Sequence, residues 1–343
     1  MSASPGILII RLSSLGDILH TLPALADLRS AFPNSRIDWL VARRNAFLVS
    51  AVTGIDTVFV LEKNISGLPG LIRKLRKQRY DFSIDFQGLL KTAALGFTSG
   101  ARTRLGFSRD LAREFPAHWF YSRTMQKPGE QFHVLQLNRM LAGLTGAGPV
   151  PFSPGFRVSD QDVRLVESML QKEKLTDFVV INPGGGWSTK RWSLQRYGDL
   201  AKRIITELGL PVVVTTGPEE EPCFRSIAES CGGSLPRHFP VSFLQLIPLY
   251  RKARLVIGGD TGPFHLACVL GTPVVGIFGP TSPVRNGSWR SEDEIVAHTL
   301  SCSSCYGRSC STNNECMDIP VDEVFAAVAR RMAKTGSLSD AYF

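Results

Sequence analysis

The sequence predicts an α/β protein built from two Rossmann-like halves that face one another, and three features carry that expectation. Short apolar, β-branched runs alternate with longer amphipathic stretches through residues 1–150. The same plan repeats in residues 151–343. Between the two, residues 146–156 (GAGPVPFSPGF) carry three Gly and three Pro in eleven positions, a composition that suits neither a helix nor a central strand.

In the first half, residues 7–11, 36–41, 57–61 and 82–86 read as strands. The helical stretches between them supply the long crossovers that parallel strands require. The Gly- and Pro-rich stretch places the boundary at 150/151. In the second half, residues 178–182, 211–215, 255–259 and 273–278 read as strands, and residues 321–334 as a closing amphipathic helix. Ligands of open α/β sheets sit beyond the carboxyl ends of the strands, so the residues just after each strand are where chemistry is expected.

Length and composition narrow the class. A chain of 343 residues, 43% apolar and 20% charged, has room for two domains of about 150 residues each. No run approaches the ~18 apolar residues of a spanning helix. The opening residues, MSASPGILIIRLSS, lack the basic start and apolar length of an export signal, which points to the cytoplasm. The net charge is +9, and all of the excess lies in the first half, with 19 Lys and Arg against 10 Asp and Glu, compared with 20 against 20 in the second. That imbalance predicts an anionic partner, whether a phosphorylated small molecule, an acidic membrane surface or a nucleic acid. Cysteine shows the opposite bias: none precedes Cys223, and four cluster as Cys302, Cys305, Cys310 and Cys316. In a reducing compartment these read as buried or free thiols. The alternatives are a tetrahedral structural metal site, since C-x2-C is a usual half-site, and disulfides.

Three strand-to-helix turns hold the residues suited to chemistry. The first, Arg11-Leu-Ser-Ser-Leu-Gly-Asp17, brings two hydroxyls, a glycine and a carboxylate together. Asp17 there either caps the helix or does acid–base work in a cleft. The turn lacks G-x-G-x-x-G, which counts against a dinucleotide-binding oxidoreductase. The second follows FVVIN and runs Pro183-Gly-Gly-Gly-Trp-Ser-Thr-Lys190-Arg191. Glycines such as Gly185 and Gly186 let backbone N–H groups approach phosphate oxygens, and Lys190 adds charge. A plain Gly-rich turn is the alternative, and the G-K-[ST] ending of a Walker A loop is missing. The strand before Gly217 leads into acids around Glu220, suited to ribose hydroxyls or to an ordinary acidic helix start. The third turn, Gly258-Gly-Asp260-Thr261-Gly262-Pro-Phe-His265, delivers an acid, a hydroxyl and a glycine to a helix start with His one turn later. It suits a polyhydroxylated anionic ligand, or a capped helix with a core histidine.

These segments, together with DFQGLLKTAAL (85–95) and AREFPAHWFYSR (112–123), resemble the ADP-heptose:lipopolysaccharide heptosyltransferases of glycosyltransferase family 9, with the inner-core heptosyltransferase I branch the nearest part of it. The resemblance covers nearly the whole chain. It implies a GT-B fold, an N-terminal domain for the acceptor and a C-terminal domain for the nucleotide sugar. The implied reaction is a metal-independent, cofactor-free, inverting transfer of L-glycero-D-manno-heptose from ADP-heptose to the Kdo region of lipid A. The implied location is the cytoplasmic face of the inner membrane, peripherally bound, with no nucleic-acid partner. By residue, the resemblance implies Asp17 as general base, with Lys190, Glu220, Asp260, Thr261, Gly262 and His265 around the donor. Gly185 and Gly186 stand where close relatives carry paired threonines, so backbone amides would replace hydroxyl donors. The Cys302–Cys316 stretch resembles one found in heptosyltransferase II. For the acceptor, the basic first half offers Lys91, Arg102, Arg104 and Arg113. The alternatives are a family 9 transferase for a later core heptose or another surface glycan and, in a different class, a noncatalytic binder of anionic polymers or nucleic acid.

Overall fold

The computed structural model describes residues 4–129, 131–217, 221–232 and 236–334. They divide into two compact units between Arg157 and Val158. The Gly- and Pro-rich stretch stays with the first unit, because Phe156 bridges Val52 and the Arg157 N–H donates to the Ala51 carbonyl at 2.7 Å. The chain therefore changes unit a few residues beyond the expected 150/151.

The first unit runs β1 (Ile7–Ile10), α1 (Leu15–Leu19), α2 (Leu22–Ala31), β2 (Ile37–Ala42), α3 (Ala46–Ala51), β3 (Thr57–Leu61), α4 (Leu68–Lys77), β4 (Phe82–Asp85), α5 (Leu90–Thr98), β5 (Thr103–Phe107), a 3-10 segment Phe115–Phe120, β6 (Arg123–Met125) and α6 (Val134–Gly143). All of its strand pairs are parallel, in the order β3-β2-β1-β4-β5-β6. Leu8, Ile10, Leu40, Phe59, Leu75 and Leu95 pack together as a core.

The second unit runs α7 (Asp160–Lys172), β7 (Val179–Asn182), α8 (Leu194–Glu207), β8 (Val212–Thr216), α9 (Glu221–Ser230), β9 (Arg237–Pro240), α10 (Leu246–Lys252), β10 (Leu255–Gly259), α11 (Gly262–Leu270), β11 (Val274–Phe278), α12 (Pro283–Asn286), β12 (Glu294–Ala297) and α13 (Val321–Ala333). Its parallel sheet is ordered β12-β11-β10-β7-β8-β9. The central strands β7, β8, β10 and β11 are buried along their whole length, as parallel strands covered by helices on both faces must be, so they read as unbroken apolar runs.

Each sheet has six strands where the sequence suggests four, and the difference is physical. The extra strands β5 (TRLGF), β6 (RTM), β9 (RHFP) and β12 (EIVA) lie toward the sheet margins. There, partial exposure admits Arg, His and Glu and dilutes the apolar signal. The first connection is also two helices rather than one, with Pro23 in the first turn of α2, where a missing N–H costs nothing. Among the described residues no helix is long and apolar enough to cross a membrane.

Candidate active-site residues

The strand order reverses between β1 and β4 in the first unit and between β7 and β10 in the second. At such a switch point the neighbouring connections leave toward opposite faces of the sheet and open a crevice at the carboxyl ends. The turns singled out by the sequence follow β1, β7 and β10.

In the first unit, Asp17 reaches back to the start of α1, where its Oδ2 accepts the Ser14 N–H at 3.0 Å and the Ser14 hydroxyl at 3.1 Å. The cap does not exhaust the carboxylate. Arg11 Nη2 stands 2.7 Å from Oδ1 and Arg113 Nη2 stands 3.3 Å from Oδ2. Arg11 is buried and also donates to the Phe86 carbonyl. The turn after β4 is stitched to the same place: Gln87 Oε1 accepts the N–H groups of Leu12 and Ser13 at 3.1 and 3.2 Å. Asp85 accepts the Gln87 N–H at 2.8 Å and the Tyr121 hydroxyl at 2.7 Å.

Arg113 reaches Asp17 because its loop lies on that turn. Gly88 has φ +71°, and a Cβ there would meet the Arg113 nitrogen at 3.2 Å. The next residue, Glu114, donates its N–H to the Gly88 carbonyl at 3.1 Å and accepts the Leu90 N–H at 2.7 Å. A side chain at position 88 would thus strain the backbone and push Arg113 away.

Burial pushes the Asp17 carboxyl upward, but Arg11, Arg113 and the Ser14 bonds overcome it and hold the group well below the usual carboxylate range. Asp85 is instead raised by burial, which outweighs its hydrogen bonds. Asp17 is depressed in the folded chain, so its stabilising contribution is present above its unfolded pKa and lost as pH falls through the folded one. Arg113→Ala removes one of the two cations, so the acid limb of turnover should move to higher pH. An unchanged limb in a folded variant would show that Arg113 does not set this charge.

In the second unit, Lys190 Nζ lies 2.6 Å from Asp260 Oδ2 and 4.3 Å from the centre of the Trp187 ring. Asp260 Oδ1 contacts His265 Nε2 at 2.8 Å. Burial pushes the Asp260 carboxyl up, but His265 and Lys190 outweigh it and hold the group well below the usual range. The glycines of β10 permit the close approach: a Cβ on Gly259 would stand 3.2 Å from the Lys190 carbonyl, and one on Gly258 would stand 3.0 Å from the Asn182 carbonyl.

Thr261 caps α11, its hydroxyl accepting the Phe264 N–H at 3.4 Å, while the Gly262 N–H opens the helix without an intrahelical acceptor. In the turn after β7, the Gly185 carbonyl accepts Arg191 Nε at 2.9 Å. The N–H groups of Gly185 and Gly186 donate to no group among the described residues. A half-buried cation, unspent amides and a helix N-terminus together form a cradle for phosphate oxygens, and Asp260 supplies an acceptor for hydroxyls.

The family described as glycosyltransferase family 9 (heptosyltransferase) matches residues 70–315. The chain is 30% identical over 319 residues to lipopolysaccharide heptosyltransferase 1 of Pseudomonas aeruginosa, covering 89% of this chain and 87% of that protein. The chain belongs to glycosyltransferase family 9. Among solved structures, it matches a family 9 glycosyl transferase from Veillonella parvula with a TM-score of 0.80 at 21% identity, covering 96% of this chain and 98% of that one. It also matches E. coli heptosyltransferase WaaC with ADP at a TM-score of 0.70 and 24% identity, over 96% of this chain and 98% of that one. The fold class is accordingly α/β of the GT-B type.

In this family 9 chain the structure gathers Asp17 with Arg113, and Lys190 with Asp260 and His265. Thr261 and Gly262 open α11, and Gly185 and Gly186 sit in the turn after β7. Lys91 is the exposed second residue of α5, beyond the carboxyl end of β4. Two of the expected acceptor cations are not brought there. Arg102 precedes β5 at the amino ends of the strands and pairs with Asp81 at 3.3 Å. Arg104 lies within β5 and donates to the Phe120 carbonyl at 2.8 Å, with its guanidinium 5.3 Å from the centre of the Phe97 ring.

Glu220 lies outside the described residues; its neighbour Glu221 pairs with Arg225 at 2.9 Å. All seven cysteines are free thiols, with Cys302, Cys305 and Cys310 exposed and Cys316 buried. Among the described residues no three His, Cys, Asp or Glu side chains are arranged to hold a metal ion. The residues that sequence reasoning passes over are Arg11, Asp85, Gln87, Tyr121 and Trp187. Only Arg11 leaves a local trace, as a charge closing the apolar run ILIIR.

Proposed function

We propose that this family 9 chain transfers heptose from ADP-L-glycero-D-manno-heptose to the Kdo region of lipid A with inversion at the anomeric carbon, without metal or cofactor, at the cytoplasmic surface of the inner membrane. The observation that carries the reading is the pair of opposed electrostatic settings at the two switch points. One centres on an ionised carboxylate and the other on a half-sequestered lysine amid unspent amides. The first unit takes the acceptor and the second the nucleotide sugar.

Asp17 accepts the proton of the acceptor hydroxyl as that oxygen bonds to the anomeric carbon and the bond to the diphosphate breaks. Lys190, the Gly185–Gly186 turn and the start of α11 take up the charge that develops on the departing ADP. Asp260 and His265 set the position of Lys190 and offer acceptors to sugar hydroxyls, and the acid at Glu220 serves the ribose. Arg113 and Lys91 attract the acceptor's carboxylates and phosphates. An acceptor anion that draws Arg113 away also makes Asp17 a stronger base, since it then loses one of its two cations.

The test is incubation with ADP-heptose and lipopolysaccharide precursors of defined truncation, followed by mass analysis. Elongation of the Kdo-terminated precursor alone is the expected result. Elongation only of a precursor already bearing heptose moves the chain to a later step, and no elongation of any precursor overturns the reading.

A further inference from the structure

The described residues include nine large apolar side chains that are strongly exposed, and four of them sit on one face of the first unit: Trp119 at 68%, Phe97 at 54%, Phe115 at 43% and Leu90 at 41%. They lie on two neighbouring elements, α5 and the Phe115–Phe120 segment. Phe97 meets Phe120 edge-on at 5.8 Å between ring centres, and Phe115 meets Trp119 at 5.3 Å. The segment is held rigidly: Ala117 is fully buried, His118 Nδ1 contacts the Phe115 carbonyl at 2.6 Å, and Glu114 ties the segment to the start of α5. The rings are thus fixed in an outward position rather than left over from a loosely packed loop.

Cations border them. Arg109 lies over Phe115 at 4.5 Å and Arg104 over Phe97 at 5.3 Å, while Lys91 and Arg113 are exposed nearby in the chain. The acids in this stretch are Asp110 and Glu114, and the latter is engaged by the Leu90 N–H. Aromatic rings flanked by Arg and Lys suit the boundary between headgroups and acyl chains, where the ring is half desolvated and the cation meets lipid phosphate.

We infer that this face, formed by α5 and the Phe115–Phe120 segment, docks the chain onto an anionic lipid bilayer, with Trp119, Phe97 and Phe115 entering the interface. The surface is continuous with the candidate site, since Arg113, two residues before Phe115, contacts Asp17. Docking therefore presents Asp17 to a headgroup standing out of the bilayer. The inference rests on the proposed lipid-anchored acceptor for its purpose, although the docking itself is a separate event.

The experiment is co-sedimentation of the full chain with vesicles of phosphatidylethanolamine and phosphatidylglycerol, and with vesicles of phosphatidylcholine alone. Wild type should bind the anionic vesicles, release at high salt, and leave phosphatidylcholine unbound. Trp119→Ser with Phe97→Ser should reduce the bound fraction by about tenfold. The same variant should melt as wild type does and elongate a deacylated, water-soluble acceptor at the wild-type rate. Equal binding of wild type to both vesicle types, or wild-type binding by the double variant, would overturn the docking face. Self-association of wild type that hides the rings, without vesicle binding, would assign the face to a second copy. Vesicle binding with no transfer to any acceptor would instead leave the docking face standing and remove the transferase reading.

Discussion

Asp17→Asn is expected to lower turnover by roughly 10²-fold or more while leaving ADP affinity unchanged. The amide oxygen can still accept from Ser14, so the start of α1 keeps its cap, but it cannot take a proton. The substitution also strands Arg11, which is 3% exposed and loses the carboxylate at 2.7 Å. Removing one partner of a buried ion pair is costly because the remaining charge stays desolvated. A fall in melting temperature should therefore accompany the loss of turnover. Rates must be read on the folded fraction, measured by denaturant titration. Near-normal turnover in folded Asp17→Asn would reduce the residue to a helix cap.

Lys190→Ala should be nearly as damaging and in a different way. The ammonium is the charge nearest Asp260, and in the proposed reaction it opposes the negative charge that grows on the leaving diphosphate. Losing one such group costs about 10²- to 10³-fold in turnover. ADP affinity should fall as well, since phosphate charge is present before and after the transfer. The variant leaves Asp260 with His265 as its remaining close partner, so its carboxyl should titrate at higher pH than in wild type. Calorimetry showing unchanged ADP affinity together with unchanged turnover would remove Lys190 from the donor site.

The fold was legible in the sequence where burial is complete. The central strands β1, β7, β8, β10 and β11 carry largely apolar runs because helices cover both of their faces, and each such run was readable. The marginal strand β3 was readable too, since TVFVL stays apolar, but β5, β6, β9 and β12 were not, because strands such as TRLGF and RHFP mix charges with apolar residues as partly exposed strands can. The same distinction applies to the site. Asp17, Lys190 and Asp260 stand out because each follows an apolar strand in a glycine-containing turn. Arg11 meets the Phe86 carbonyl, and Gln87 meets Leu12 and Ser13, from positions far apart in sequence, and no local pattern announces these contacts between the ends of β1 and β4. The basic excess of the first half was legible as a number but not as a place. Arg113 joins Asp17, while Arg102 lies at the opposite ends of the strands, because strand direction rather than composition decides where a charge is carried.

The proposed reaction is a single displacement in which Asp17 accepts the proton while ADP leaves from the opposite side of the sugar. It is tested most directly by determining, by nuclear magnetic resonance, the anomeric configuration of the heptose in the product made from ADP-heptose of known configuration. Wild type and Arg113→Ala should form a linkage of inverted configuration, and Asp17→Asn should form the same linkage roughly 10²-fold more slowly. Retention of the donor's configuration would contradict it, because a single displacement with the nucleophile opposite the leaving diphosphate inverts the anomeric centre.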